Sequence, residues 1–441
     1  MARKLILMSL LALGVVTTAN AQRTRVLRSR ILQVRPEALR AANKPGGSMP
    51  LRLFSDTSYD AVLEDLEDHR LNGLVWSGHL AEHIDSWVVM VEKEGVMAGV
   101  ISTGDRVFRV RFAGSGLHVI EEMDPLSVRW TANDAVIPDL ASGFSSSSFQ
   151  SSSTESTSTE IDVLMVYTNK AAKVLVKNKS KYWWVEETDK KRAIESQARL
   201  SIAVANAALK NSKIKAHFRL VGVKKVKGRG SGDFSEDLYR LWDPDDGFMD
   251  NVHGLRNQLG ADFVVLILGK VEKDVGGRGY VVPATDPSAA DLALSVVRSS
   301  TLWWTTVAHE IGHNMGLVHN PENDSLPAQY RSHPFARGYR DEANGLATVM
   351  SYTKGCAKCW LSIPHFSNPK VKWKGASQPS DPHLLQPMCH GDELDRLPEI
   401  VFPTCGLPTG TSEFNSARSI KKNVAIFAAH RACQVDCQPV E

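Results

Sequence analysis

The 441-residue chain predicts an α+β protein in two parts, a β-rich N-terminal unit and a larger unit in which strands alternate with helices. Three observations predict it. Residues 22–139 hold apolar runs broken by glycine-bearing turns. Residues 140–160 are almost entirely Ser, Thr, Glu and Phe, a segment too poor in apolar area to offset its ordering entropy, and so a flexible linker. From residue 161 onward, apolar runs of strand length alternate with stretches of helical periodicity.

Before those units, Arg3 and Lys4 precede an apolar run over residues 5–16, and Ala19-Asn20-Ala21 gives a small-x-small cleavage pattern. The run is too short to span a bilayer. Residues 1–21 therefore read as a secretory signal peptide, and the expected product is soluble, without a membrane anchor, and secreted to the extracellular or periplasmic space. A formal charge of +3 predicts no particular attraction to nucleic acid.

In the first unit, residues 86–91 run to a turn at Lys93-Glu94-Gly95, and residues 96–101 to a second turn at Ser102-Thr103-Gly104-Asp105. Val107-Phe108-Arg109-Val110-Arg111-Phe112 alternates apolar and basic residues, as a half-exposed strand does. His79 and His83 have no ligand spacing and read as solvated loop histidines.

The second unit opens on a buried strand at 161–167. A helix follows over 186–210, with Ile194, Ala198, Ile202, Ala205 and Leu209 on one apolar face. Residues 214–220 alternate as a strand with His217 on the polar side, where it is given no role. A helix over 249–258 leads to the continuous apolar run 263–268, a central strand. Residues 276–282 read as a loop running into an edge strand, without the setting of a phosphate-binding loop. Near the C-terminus, Ala417, Ile420, Val424 and Phe427 share one face of a helix over 415–431.

The chemistry concentrates at His309-Glu310-Ile311-Gly312-His313-Asn314-Met315-Gly316-Leu317-Val318-His319, on a helix expected to begin near Ser300. His309 and His313, four residues apart, stack on one helical face and can share an ion. Val307, Ile311 and Met315 sit about 200° away and face the core. Gly316 can take positive φ, end the helix and return the chain so that His319 becomes a third ligand. Three imidazoles suit zinc with one position left open, and Glu310 lies within reach of a water there.

This stretch resembles the signature of the metzincin zinc endopeptidases, and Thr348-Val349-Met350-Ser351-Tyr352 fits their Met-turn. The likeness runs from about residue 161 to the C-terminus and is nearest to the bacterial reprolysin-like and peptidyl-Asp metallopeptidases. It implies a twisted mixed sheet with a backing helix, an active-site helix below, and a small disulfide-bonded C-terminal subdomain. It also implies one catalytic Zn2+ on His309, His313 and His319, Glu310 as general base and acid, and Met350 as a structural floor. Tyr352 is either a catalytic group near zinc or a packed core tyrosine. Asn320 stands where snake-venom-type members carry Asp. A structural Ca2+ is not readable from sequence. The expected partners are protein or peptide substrates, lying extended along the edge strand near Tyr280, and the expected state is a monomer.

By the same likeness, residues 22–139 are a propeptide of a zymogen; the alternative is a retained binding domain. No cysteine precedes Cys356, so a thiolate cannot cap the metal, and a carboxylate, Asp124, is the candidate. The six cysteines, all in the last fifth, are expected to pair as neighbours: Cys356 with Cys359, Cys389 with Cys405, Cys433 with Cys437. A zinc site using Cys356, Cys359, Cys389 and His390 is the rival. For the whole chain the rival function is an inert adhesion or binding protein on a protease scaffold.

Overall fold

The computed structural model describes residues 25–34, 39–40, 44–69, 73–128, 134–138, 159–176, 186–269, 275–359, 361–373 and 406–431. The segments assigned to the signal peptide and most of the linker lie outside them, as do Cys389, Cys405, Cys433 and Cys437.

The N-terminal unit is an eight-stranded antiparallel sheet. Its strands are β1 (Val26–Leu32), β2 (Ser48–Phe54), β3 (Thr57–His69), β4 (Gly73–Leu80), β5 (His83–Lys93), β6 (Val96–Ser102), β7 (Val107–Gly114) and β8 (Leu117–Met123). They lie in the order β1-β8-β7-β6-β5-β4-β3-β2. The turn between β5 and β6 places Glu94 and Gly95 at positive φ (52° and 77°), as a tight hairpin demands. His79 and His83 are strand residues, not loop residues, and His79 Nδ1 lies 2.8 Å from Glu64.

The second unit contains β10 (Thr159–Tyr167), α1 (Asn169–Val176), α2 (Glu187–Asn211), β11 (Ala216–Lys225), α3 (Phe234–Trp242) and α4 (Asn251–Leu259). It continues with β12 (Phe263–Leu268), β13 (Gly277–Tyr280), β14 (Leu294–Arg298), α5 (Thr306–Asn314) and α6 (Ser416–Phe427). A short strand from the N-terminal segment, β9 (Ala135–Val136), completes a mixed six-stranded sheet in the order β11-β10-β12-β14-β13-β9. β10, β11, β12 and β14 run parallel, and β13 runs against β14. Helix α2 packs the Ile194-to-Leu209 face against the sheet core with Ile161, Val163, Phe218 and Val265.

α2 also has a second buried stripe. Leu200, Ala203 and Val204, with Ala207 beside them, meet Trp87, Val89 and Val91 of β5 together with Trp303 and Trp304. The alternate residues of β5, Val88 and Met90, face the N-terminal unit's own core with Trp76, Phe108 and Ile120. The N-terminal sheet is therefore buried on both faces, one of them by the second unit.

That burial corrects the half-exposed reading of β7. Arg109 and Arg111 are 8% and 6% exposed and converge on Glu121 of β8. Arg109 Nε and Arg111 Nη2 each donate to its carboxylate at 2.9 Å, and Arg111 Nη1 donates to the Leu175 carbonyl of α1, also at 2.9 Å. The active-site helix likewise begins later than expected, at Thr306. Residues Ser299–Thr301 form a 3-10 turn, and Trp303 and Trp304 turn into the interface between the two units before the helix starts.

In the C-terminal region, Cys356 and Cys359 form a disulfide, which removes both from the rival cysteine–zinc site. Helix α6 is shorter than 415–431 but buries Ala417, Ile420 and Phe427 as its periodicity requires, with Val424 packed beside them.

Burial pushes the Glu121 carboxyl up, but the two guanidiniums outweigh it and hold the group down at about 2, against 4.5 when free. A depressed carboxylate contributes stability above its unfolded pKa and loses it as pH falls through the folded one. Glu121→Gln should therefore destabilise the chain by about 3 kcal/mol at pH 7, because two buried charges lose their partner. Urea melts should show the gap from wild type closing between pH 4.5 and about 2. A gap independent of pH in that window would refute the buried pair.

Candidate metal and catalytic centre

Helix α5 carries His309 and His313 on one face; Gly316 then takes φ of +69° and returns the chain to His319. The Gly316 N–H bonds the His313 carbonyl and the Leu317 N–H bonds that of Gly312, closing the helix end. The three Nε2 atoms converge: His309 to His319 is 3.2 Å and His309 to His313 is 3.1 Å. Nδ1 of His309 lies 2.7 Å from the Val349 carbonyl and Nδ1 of His313 lies 2.9 Å from that of Leu317. A carbonyl only accepts, so each Nδ1 carries the proton and each Nε2 presents a lone pair. Lone pairs facing one another at these distances repel unless a cation lies between them. Nitrogens at tetrahedral angles on a zinc, with bonds of about 2.0 Å, stand about 3.3 Å apart, so the residues fit the ion.

A fourth donor completes the set. Asp134 Oδ1 lies 2.8 Å from His319 Nε2, 3.2 Å from His313 Nε2 and 3.5 Å from His309 Nε2. Asp124, the carboxylate expected from sequence, is not in the cluster: its backbone closes the turn after β8, accepting from Ser127 N–H and donating to the Arg25 carbonyl. Asp134 arrives because β9, immediately after it, pairs parallel with β13, Ala135 opposite Gly279 and Val136 opposite Tyr280. The Gly279 N–H donates to the Asp134 carbonyl at 3.1 Å, and the Val281 N–H to that of Val136 at 2.9 Å. The edge near Tyr280, expected to take substrate, is thus covered by the chain's own N-terminal segment.

Burial raises the Asp134 carboxyl, but His309 and His319 in their protonated forms outweigh it and draw the group well below its ordinary value; an ion at this point would supply the same positive charge. Burial lowers His313 to about 4. Glu310 is pushed well above the usual carboxylate range, by burial first and by the Asp134 charge second. Its Oε2 has no hydrogen-bond partner among the described residues, while a Cβ built on Gly277 would stand 2.5 Å from Oε1. Glycine at 277 leaves the space that the Glu310 carboxylate fills.

Tyr352 is close to the cluster. Its hydroxyl donates to Asp134 Oδ1 at 2.6 Å and accepts from the Asp134 N–H at 3.2 Å, and its ring lies 4.2 Å from that of His319. Two neighbours were given no role in the sequence reading. Asn320 is buried, and its Oδ1 accepts the Tyr352 N–H at 3.1 Å. Asn314 Nδ2 donates to the carbonyls of Tyr280 (3.0 Å) and Leu294 (2.8 Å), tying α5 to β13 and β14. Met350 lies under Gly312, where an added Cβ would meet its Sδ at 2.4 Å. A cavity beside the cluster is lined by Glu310, Trp304, Thr305, Val349, Leu361 and Ser362.

Residues 157–366 match the model of metallo-peptidase family M12, reprolysin type. Over those residues the chain is similar to the M12 metallopeptidases. Among curated relatives, the Peptidyl-Asp metalloendopeptidase of Stenotrophomonas maltophilia (strain R551-3) is 26% identical over 295 residues, 65% of this chain and 64% of that protein. The protein of the same name from Xanthomonas campestris pv. campestris is 25% identical, over 65% of this chain and 63% of its own length. The chain therefore spans slightly less than two thirds of the curated relatives it matches. The solved metalloproteinase-II of Bacteroides fragilis covers 68% of this chain and 89% of its own at 11% identity and a TM-score of 0.39, too loose a likeness to bear on the site.

The contact between Gly312 and Met350 gives the M12-like domain a direct test. Alanine at 312 gains up to about 1 kcal/mol of helix propensity but overpacks a closed core at a cost of about 1–3 kcal/mol. Gly312→Ala should lower the melting temperature, and Met350→Ala in the same chain should remove that added cost. Additive losses in the double variant would show that the two residues do not meet.

Proposed function

We propose that this chain is an exported zinc endopeptidase made as a latent precursor, with Asp134 as the group that closes the site. The observation that carries the reading is the meeting of three imidazole nitrogens and one carboxylate beside a buried Glu310 whose Oε2 has no partner among the described residues. In it, His309, His313 and His319 hold the ion and Met350 supports α5 from below. Zinc would supply Lewis acidity, acidifying the attacking water and polarising the substrate carbonyl.

Glu310 takes the proton from that water and returns it to the leaving amine. A carboxyl held above its usual range is suited to both transfers, since it stays a competent acid near neutrality. The edge of β13 orients the substrate backbone by strand addition, with the Trp304- and Leu361-lined cavity beside it for a side chain. Residues 1–21 act as the export signal, and the N-terminal sheet with β9 acts as the propeptide. It blocks the site twice: Asp134 takes the position a water needs, and β9 takes the edge a substrate needs. The inert-binder alternative has less support, because the glutamate and all three imidazoles are present.

The resemblance to peptidyl-Asp metallopeptidases implies cleavage on the amino side of acidic residues, and the chain's own linker then becomes a substrate. Glu160 is held in β10 with its carboxylate 2.7 Å from Arg219 Nη1, and Asp162 accepts from Arg219 Nε at 2.7 Å. Strand pairing protects both, which leaves Glu155 as the preferred site of self-processing.

Wild type, Glu310→Gln and Asp134→Ala, each expressed alone, should separate these roles. Glu310→Gln should fold and keep zinc, lose at least about a hundredfold in casein hydrolysis, and stay uncut before Glu155. Asp134→Ala should open the water position while β9 still covers the edge, so the uncut chain should hydrolyse a short peptide faster than the wild-type precursor, and 1,10-phenanthroline should abolish that gain. Near-normal turnover by zinc-loaded Glu310→Gln would end the mechanism; an Asp134→Ala precursor no faster than the wild-type precursor on that peptide would end the carboxylate cap.

Tyr352 plays one of two parts, and its hydroxyl decides between them. As an oxyanion donor in the open enzyme, its loss in Tyr352→Phe should cut kcat of the processed form by about a hundredfold with little change in melting temperature. Unchanged kcat with earlier activation would confine Tyr352 to holding Asp134.

A further inference from the structure

A second group of metal-ligating side chains lies away from the M12-like centre. Glu67 and His69 are two residues apart on β3, so both project from one face of the strand. His217 stands on β11 of the other unit, and its ring centroid lies 5.5 Å from that of His69. Glu67 Oε2 is 3.1 Å from His69 Nε2, and one donor atom from each of the three residues falls within 4.8 Å of the others. We propose that Glu67, His69 and His217 form a transition-metal site that clips the N-terminal sheet to the catalytic unit.

The chemistry of the three donors selects the ion. Two imidazoles and one carboxylate suit zinc, copper or nickel in preference to calcium or magnesium, which take oxygen. Tetrahedral zinc needs donors about 3.3 Å apart, so closing the observed cluster takes a movement of roughly 1 Å or less per side chain. Glu67 and His69 are free to make it, with side chains 32% and 44% exposed.

The third arm is anchored. Asn206 of α2 donates Nδ2 to the Phe218 carbonyl (2.9 Å) and accepts the Phe218 N–H (2.7 Å), which fixes its amide beside His217. That amide also lies 3.2 Å from His217 Nε2. An ion taken at this nitrogen displaces that one contact and leaves both bonds to Phe218. Neighbouring charge does not compete for Glu67: Arg219 is bound to Asp162 and Glu160, and Lys210 pairs with Asp65.

Because the donors come from both units, the ion binds only when the N-terminal sheet is docked. By linkage, metal then favours the docked state. The consequence for latency rests on the propeptide reading; the site itself does not.

Zinc content tests the site directly. The full-length Glu310→Gln chain, loaded with Zn2+ and desalted, should hold two ions. His69→Ala, His217→Ala and the milder Glu67→Gln in that background should each hold one and show a smaller rise in melting temperature on adding Zn2+ than the parent. His313→Ala should also hold one, and adding His69→Ala to it should abolish both the remaining ion and the remaining rise. A parent that binds a single ion, lost in His313→Ala and unaffected by His69→Ala, overturns the clip while leaving the protease reading intact. Two ions retained in His69→Ala and His217→Ala overturn it equally.

Discussion

Three imidazole nitrogens and a carboxylate aimed at one point are stable only around positive charge. The rest of the catalytic unit is arranged to hold that arrangement against repulsion. The carbonyls of Val349 and Leu317 fix the protons of His309 and His313 on the outer nitrogens. Those carbonyls lie in the Met350 turn and in the return after Gly316, so both loops orient the imidazoles of α5, and the second also carries His319. Glycine at 277, 279 and 312 lets sheet, helix and turn approach closer than any side chain allows. Asn314 ties the helix to the two strands above it.

On the proposed reading, the N-terminal unit exploits the same point of attraction without supplying most of its own binding strength there. Asp134 is one carboxylate on a short segment. The bulk of the contact is the tryptophan-lined face of β5 against α2, and the Arg109–Arg111–Glu121 group beside it. Apolar burial of this kind is strong but non-directional. The buried ion group and the β9 pairing add direction, since each fails if the sheet is displaced by a residue. Strength and register are therefore assigned to different residues, which lets a single aspartate find the centre of the cluster.

Much of this was legible in the sequence because its signals are local. The spacing of His309, His313 and His319, the glycine at 316 and the methionine at 350 follow from helix geometry and turn chemistry. The strands at β10 and β12 and the helix α2 follow from periodicity. What escaped was set by packing between units. Arg109 and Arg111 look like the polar side of a strand until another unit covers them. The second stripe of α2, at 200, 203, 204 and 207, has helical spacing, yet three of its four residues are alanine or valine and stand out little beside the longer Ile–Leu face. Helix α3 was readable and missed: Asp233 accepts the Glu236 N–H, the start of a capping pattern visible as Asp-x-x-Glu. Asp134 offered no such signal, since a carboxylate that reaches the imidazole cluster through strand pairing has no fixed spacing from its partners.

On the proposed reading, the order of events at activation follows from where the cut falls. A break before Glu155 lies after Asp134 and β9, so it frees neither of them from the site. It only turns an intramolecular contact, with an effective concentration in the millimolar range, into a bimolecular one. The tryptophan face, the ion group and the strand pairing all survive the cut and still hold the N-terminal sheet in place. Cleavage therefore makes release possible without causing it, and the nicked complex stays latent until dilution or further proteolysis removes the released unit from equilibrium. Interactions that span α2 and the N-terminal sheet then set the rate at which activity appears, although none of them touches the centre where the chemistry occurs.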